Sequence, residues 1–179
     1  MSVFFEFDDV DVFTTGTQGD PGQRVFFIQA RADGKRYSIR CEKQQVAAIV
    51  MYLRRVMKDL PPPEQRPMPG ALELTEPGEP LFVLGPIGLG YDRSNDRLLV
   101  QLEEFIPTED IAEDDPDDDE VATPPDDELD RGHVRLFITR SQADAFCDHA
   151  ERIIESGRPS CVWCQLPIDP DGHPCPRMN

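Results

Sequence analysis

The stretch RVFFIQARADGKRYSIRC, residues 24–41, determines the fold class, because it has the pattern of two β-strands joined by a tight turn. Residues 24–30 and 37–41 are rich in β-branched and aromatic side chains, which favour strands. Between them, Asp33 and Gly34 form the dipeptide typical of two-residue hairpin turns. The sequence therefore predicts an antiparallel hairpin here.

A helix is predicted immediately after this hairpin, over residues 43–60. Its apolar residues recur at helical spacing and would form one face, consisting of Ile49, Leu53, Val56 and Met57. Prolines from residue 61 onward end it. Before the hairpin, the sequence predicts a further pair of strands, residues 3–7 and 10–14, and a glycine turn over residues 16–22.

The second half of the chain repeats this plan. The predicted elements are a strand (81–84), a glycine turn (85–90), two strands (97–102 and 134–139) and a helix (141–155). In this helix Ser141 is the expected N-cap, with Asp144 completing a capping box. The apolar stripe of the helix is Phe146, Ala150, Ile153 and Ile154.

Aligning the two halves matches residues of the same type at corresponding places: Gly16 with Gly85, Gly19 with Gly88, Arg24 with Arg97, Gln29 with Gln101, and Gln45 with Gln142. We therefore expect an α+β fold of two pseudo-repeated β-β(-β)-α units that share an antiparallel sheet, with both helices on one face. Chance similarity between two ordinary ββα segments is the alternative. The predicted boundaries are 1–60 for the first unit, 61–80 for a proline-rich linker, 81–158 for the second unit and 159–179 for a C-terminal tail.

The negative charge of the chain is concentrated in residues 109–130, which hold thirteen acidic side chains and no basic one. The net charge is −17 for the whole chain and only −4 without this run. We expect a solvated, disordered insertion in one hairpin of the second unit. Such charge argues against nucleic acid or an anionic membrane as the main partner.

The first thirteen residues are interrupted by four acidic side chains, which excludes a signal peptide or a spanning helix there. Five cysteines without a secretion signal indicate thiols or metal ligands rather than a disulfide framework. The sequence therefore predicts a cytoplasmic protein. Cys41 and Cys147 are expected in the core, and His149 is expected to be exposed.

The tail CVWCQLPIDPDGHPC, residues 161–175, carries the sharpest chemical signal. Its candidate metal ligands are Cys161, Cys164, His173 and Cys175. Cys-x2-Cys lets two thiolates reach one ion, and a Cys3His set is complete for tetrahedral zinc, so a structural zinc knuckle is predicted. A redox Cys-x-x-Cys pair and unliganded cysteines are the alternatives. Trp163 is expected to anchor the tail on the body.

The tail, continuing through Pro176, Arg177 and Asn179, resembles the ending of an uncharacterised actinobacterial family known as a domain of unknown function, number 3090. The opening at residues 13–16 and the helix start at residues 42–46 are also similar to this family. The resemblance implies the same body and zinc-like tail, and a pathway shared with a histidine-phosphatase-like and a phosphoinositide-kinase-like protein encoded nearby. This chain has Gln165 where the family pattern has glycine.

The sequence carries no nucleophile motif and no nucleotide-binding glycine loop, so no catalytic residue is assigned. It favours a non-enzymatic adaptor or regulatory module that binds another protein. The second interpretation is an enzyme or ligand-binding protein with an anion site at the junction of the two units, formed by Arg24 and Arg97. The oligomeric state is not predicted.

Overall fold

The structure is a computed structural model that describes residues 3–107, 131–169 and 171–177. The predicted acidic insertion, residues 109–130, lies outside these ranges. The described chain forms seven strands and two α-helices: β1 (Phe4–Phe7), β2 (Val12–Gln18), β3 (Val25–Ala32), β4 (Lys35–Cys41), α1 (Lys43–Met57), β5 (Leu84–Asp92), β6 (Arg97–Glu104), β7 (His133–Ile138) and α2 (Arg140–Glu155). A 3-10 helix, Pro69–Leu72, lies between α1 and β5. The predicted α+β class is confirmed.

The strands form two sheets, and the expectation of one shared sheet is wrong. One sheet has the order β2-β3-β4, and the other has the order β1-β7-β6-β5. The predicted pairing of the first two strands is also wrong, because β1 pairs in parallel with β7 and β2 pairs with β3. In the described part of the chain, one isolated parallel bridge, between Arg40 and Val83, links the backbones of the two sheets, and the rings of Phe5 and Phe7 in β1 pack on Tyr37 in β4. Each sheet nevertheless contains a three-stranded antiparallel meander that is followed by a helix.

The hairpin predicted over residues 24–41 is confirmed as β3 and β4. Asp33 (φ 52°) and Gly34 (φ 70°) both have positive φ, as a type I′ turn requires. The two strands begin and end within a few residues of the predicted limits. Local sequence chemistry therefore determines this element.

Both helices begin with a capping box that uses a glutamine at the third helical position. In α1 this pair is Glu42 and Gln45, and in α2 it is Thr139 and Gln142. The prediction of Ser141 as N-cap is wrong by two residues, because the Thr139 hydroxyl accepts the backbone N–H of Gln142. Each glutamine also reaches across the molecule: Gln45 donates to the carbonyls of Leu84 and Gly85, and Gln142 donates to that of Val10.

The glycines at residues 85–90 lie in β5, so the turn predicted there is wrong. Glycine is also required where another segment of backbone passes close to a strand, and this explains the glycines here. A Cβ on Gly85 would lie 2.8 Å from the Cα of Phe105. Gly16 is likewise in a strand, and its Cβ would lie 2.5 Å from the Cβ of Leu74. In the first unit the turn itself starts later, with Gly19 and Gly22 at positive φ.

The two helices pack against each other, and α2 also packs on β2 while α1 contacts β5. Phe13 of β2 and Phe146 of α2 are fully buried and stack with ring centroids 4.5 Å apart. Thus the helix that follows the second meander covers the sheet of the first. Residues 61–80, between the two meanders, lie along the first sheet, where Gln29 and Arg31 donate to the carbonyls of Thr75 and Ala71.

A cluster of charged side chains joins α1 to α2. The Arg54 guanidinium contacts the carboxylates of Asp144 (2.9 Å), Asp148 (2.5 Å) and Glu151 (2.9 Å). Arg66, from the segment after α1, adds a second cation to Asp144 (2.5 Å). The hydrogen bond to Glu151 raises the pKa of Arg54. Because Asp144 is almost buried, removing Arg54 leaves its carboxylate with Arg66 as its one remaining cation among the described residues.

We expect Arg54→Met to lower the free energy of unfolding by about 2 kcal/mol, since three carboxylates lose their shared cation while the aliphatic packing is kept. Arg55→Met is the matched control, because Arg55 is the exposed neighbour on the same helix. It should change stability by less than about 0.5 kcal/mol. Urea unfolding followed by circular dichroism measures both, and equal effects would show that the cluster contributes little.

Candidate metal centre

The tail after α2 folds into a small hairpin that brings its ends together. Ser160 and Pro167 form an antiparallel bridge. Within it, the backbone N–H of Gln165 donates to the carbonyl of Cys161, and the N–H of Cys161 donates to the carbonyl of Leu166. Further on, the N–H of Gly172 donates to the carbonyl of Asp169. This last turn returns the chain toward the Cys-x2-Cys segment.

Four side chains converge where these turns meet: Cys161, Cys164, His173 and Cys175. One candidate ligand atom from each lies within 4.8 Å of all the others. The Sγ atoms of Cys161 and Cys175 are 3.9 Å apart, and Cys164 Sγ is 3.1 Å from His173 Nε2. Tetrahedral zinc would separate two sulfurs by about 3.8 Å and a sulfur from a nitrogen by about 3.6 Å. The four atoms therefore fit around one ion after small shifts.

The electrostatics of the cluster favour a thiolate at Cys161. The backbone N–H groups of Cys164 and Trp163 direct their dipoles at its sulfur and lower the pKa of the Cys161 thiol. Burial raises the pKa of Cys164, although the N–H of Leu166 opposes that effect. A cation at the centre would favour the deprotonated form of every thiol around it. The cluster can thus hold a divalent metal ion.

The backbone conformation at Gln165 shows why the residue type after Cys164 affects the geometry of the knuckle. Gln165 has a φ of 61°, in the left-handed region that side chains other than glycine rarely adopt. This is the position where the resemblance noted in the sequence implies glycine. The hydrogen bond from its N–H to the Cys161 carbonyl requires this turn, so the chain keeps the knuckle geometry with a strained residue.

Trp163 does not anchor the tail, and that expectation is wrong. Its side chain is 61% exposed, and its neighbours Val162 and Leu166 are 86% and 50% exposed. The two residues inside Cys-x2-Cys face away from the ligand atoms, because both thiols must turn inward. Cys161 is the part of the turn that is buried, at 4% exposure. The tail therefore presents three apolar side chains to solvent: Val162, Trp163 and Leu166, here called the knuckle patch.

Arg24 and Arg97 are not brought together. Arg24 donates to Ser156 and to the carbonyl of Ile153, at the C-terminal end of α2. Arg97 follows Asp96, whose carboxylate binds Arg140 at the first position of α2. This helix has 16 residues and is about 24 Å long. The two arginines therefore lie near its opposite ends.

Lys43 and Arg158 line the same cavity as Arg24, and the sequence analysis did not single them out. Arg158 lies three residues before Cys161, so the sequence could have predicted that it lies near the tail. No sequence pattern could have predicted the position of Lys43 beside Arg24, because that position depends on how α1 packs against the end of α2. Long-range packing creates this group of cations.

The remaining cysteines and histidines do not form a second cluster within the described ranges. Cys41 and Cys147 are buried as predicted, and burial raises the pKa of each thiol to about 12. His149 is half-buried rather than exposed, with Nε2 3.0 Å from the carbonyl of Thr15. Burial lowers its pKa. His133 opens β7, as expected.

The family model described as "Protein of unknown function (DUF3090)" matches residues 5–175. Neither the search of curated proteins nor the search of solved structures found a match to the chain. Across the described residues, no helix has the length and apolar character needed to cross a membrane.

Thiol titration of the metal-loaded protein should reveal no fast-reacting cysteine. After a strong chelator is added, three should react, and all five should react in denaturant. The thiolate is the reactive form, and at pH 8 a pKa near 12 leaves about one thiolate in ten thousand at Cys41 and Cys147. If the three tail thiols react equally fast with and without chelator, no metal protects them. If only one tail thiol reacts until a reductant is added, two of the three are joined in a disulfide, as a redox pair requires.

Gln165→Gly should tighten metal binding about threefold to fivefold, because glycine removes the left-handed strain at this position. Gln165→Ala is the matched control, since it shortens the side chain but keeps the Cβ that causes the strain. Competition with a chromophoric chelator measures both variants. Equal affinities of the glycine and alanine variants would contradict a role for backbone strain.

Proposed function

The chain belongs to the family described as Protein of unknown function (DUF3090), a description that names no activity, and we propose a function from the candidate metal site. The proposed function is that of a non-enzymatic adaptor that binds another protein through its tail, which zinc holds in shape. The observation that carries this proposal is the knuckle patch, which places three exposed apolar side chains on one metal-stapled turn. Tryptophan is enriched among residues that dominate interface energies, and Trp163 is the only tryptophan of the chain.

Zinc is the proposed metal because the donors are three sulfurs and one imidazole nitrogen at near-tetrahedral separations. Four protein ligands leave no open position for a substrate or a water, which favours a structural role over catalysis. Reduced thiols at such a site fit a reducing compartment, so we place the protein in the cytoplasm. Elemental analysis should find one zinc per chain, and Cys161→Ser with Cys175→Ser should lose it.

We further propose that the two meander–helix units arose by duplication. The matched glutamines Gln45 and Gln142 support this, because each closes a capping box and each donates to the backbone of the other unit. Arg24 and Arg97 also stand at the start of corresponding strands, β3 and β6. Superposing β2-β3-β4-α1 on β5-β6-β7-α2 tests the idea, and a best fit that does not overlay the two glutamines would oppose it.

Trp163→Ala should weaken binding to the true partner at least tenfold while leaving the zinc content and the unfolding curve unchanged. The first proteins to test are the histidine-phosphatase-like and phosphoinositide-kinase-like proteins that the family resemblance implies. Because Trp163 is the only tryptophan, a blue shift of its fluorescence reports burial directly.

Phe105→Ala is the matched control, because Phe105 is another exposed aromatic residue, at 54%, outside the tail. The proposal predicts that this variant binds the partner like the wild type. Equal binding by the Trp163→Ala variant and the wild type would contradict a partner site at the knuckle patch. Equal loss of binding in both variants would show that the effect is not specific to the knuckle patch and would also contradict the proposal.

A further inference from the structure

A cavity of about 410 Å³ lies beside the metal centre, where the start of β3, the first residue of α1 and the tail meet. Three cationic side chains line it: Arg24, Lys43 and Arg158. Among the described residues, no carboxylate lines this cavity. In a chain with nearly twice as many acidic as basic residues, this local excess of positive charge needs a physical reason.

Arg24 is held in place by contacts that leave one end of its guanidinium unused. Nη1 donates to the Ser156 hydroxyl (3.1 Å) and to the Ile153 carbonyl (3.4 Å). The guanidinium carbon lies 5.5 Å from the centroid of the Phe26 ring, a distance typical of cation–π contact. Nη2 has no hydrogen-bond partner among the described residues. The arginine is therefore oriented in advance, with donors to spare.

Gly157 leaves open space between Arg24 and Lys43. A methyl carbon placed on Gly157 would lie 3.2 Å from Arg24 Nη2 and 3.7 Å from Lys43 Nζ, so the two nitrogens are within about 7 Å of each other. Lys43 makes no hydrogen bond or ion pair with any described residue. Two like charges this close repel each other, and an anion between them would remove the repulsion.

The tail supplies the third cation. Arg158 forms an ion pair with Asp169 (2.5 Å), which fixes it at the base of the hairpin. Ser160 and Gln165, which flank the Cys-x2-Cys turn, also line the cavity and add polar groups. The metal centre thus shapes one wall of the cavity.

A role limited to neutralising the negative end of α2 would require Arg24 alone, because the contacts with the last turn of the helix come from that residue. Lys43 has no such explanation, and Arg158 lines the cavity while it also pairs with Asp169. We propose that this cavity binds the phosphate group of a phosphorylated small molecule, with Arg24, Lys43 and Arg158 as its cationic ligands. Its volume suits a small ligand, and guanidinium groups match phosphate geometry. This site is independent of the knuckle patch, and either can exist without the other.

The test is calorimetric titration of the metal-loaded full chain with inorganic phosphate and with phenyl phosphate, at constant ionic strength set by chloride. Wild-type protein should bind one phosphate per chain. Lys43→Gln should weaken binding about threefold to fivefold, as expected for one partly exposed charge. It should not alter the fold, because Lys43 contacts no described partner. Arg24→Gln should weaken binding further, with circular dichroism to check that α2 remains intact.

Arg97→Gln is the matched control, since Arg97 begins the corresponding strand β6 but lies near the opposite end of α2. It should bind phosphate like the wild type. Tighter binding of phenyl phosphate than of inorganic phosphate supports an organic phosphate whose carbon part lies against Phe26, and equal binding supports recognition of the phosphate group alone. Absence of saturable binding, or equal losses in the Lys43→Gln and Arg97→Gln variants, overturns the proposal.

Discussion

The packing of α2 onto the first sheet holds this protein together. Phe146 reaches from the helix of the second unit to stack on Phe13 of the first, and both side chains are completely buried. Among the described residues the two sheets share one backbone bridge, between Arg40 and Val83, so side-chain packing is needed to join them. Burying two aromatic rings contributes several kcal/mol, which is large beside the marginal stability of a domain.

Positive and negative side chains are distributed unevenly along α2. Between the helices, one arginine serves three carboxylates, and this pairing lets Asp144 remain almost buried. At the other end of α2 the balance reverses, with three cations facing a cavity without carboxylates. The tail that carries the candidate metal site supplies part of the wall of that cavity, through Ser160, Gln165 and Pro167. The compact tail therefore contributes to two surfaces, one apolar and one cationic.

Local sequence patterns predicted most elements but not their partners. The Asp33-Gly34 turn fixes the β3–β4 hairpin because its positive φ values suit few other residues. By contrast, β1 pairs with β7, and Phe4 lies beside His133, far away along the chain. No local pattern encodes that choice, since it depends on which sheet edge remains free after the meanders have formed. Glycines in the sequence did not distinguish a turn from a strand, for a similar reason. Glycine is required both in a tight turn and where two backbone segments pass close together, as at Gly85.

The sequence by itself predicted the four residues of the Cys3His cluster, the two helices without their actual caps, and the β3–β4 hairpin. These depend on spacing and on contacts within a few residues, which the chain encodes directly. Only the tertiary structure decided that the strands divide into two sheets and that Trp163 faces solvent. It also separated Arg24 from Arg97 and placed Lys43 and Arg158 beside the former. Those outcomes depend on how α2 packs between the two units, and packing joins residues that no sequence spacing relates.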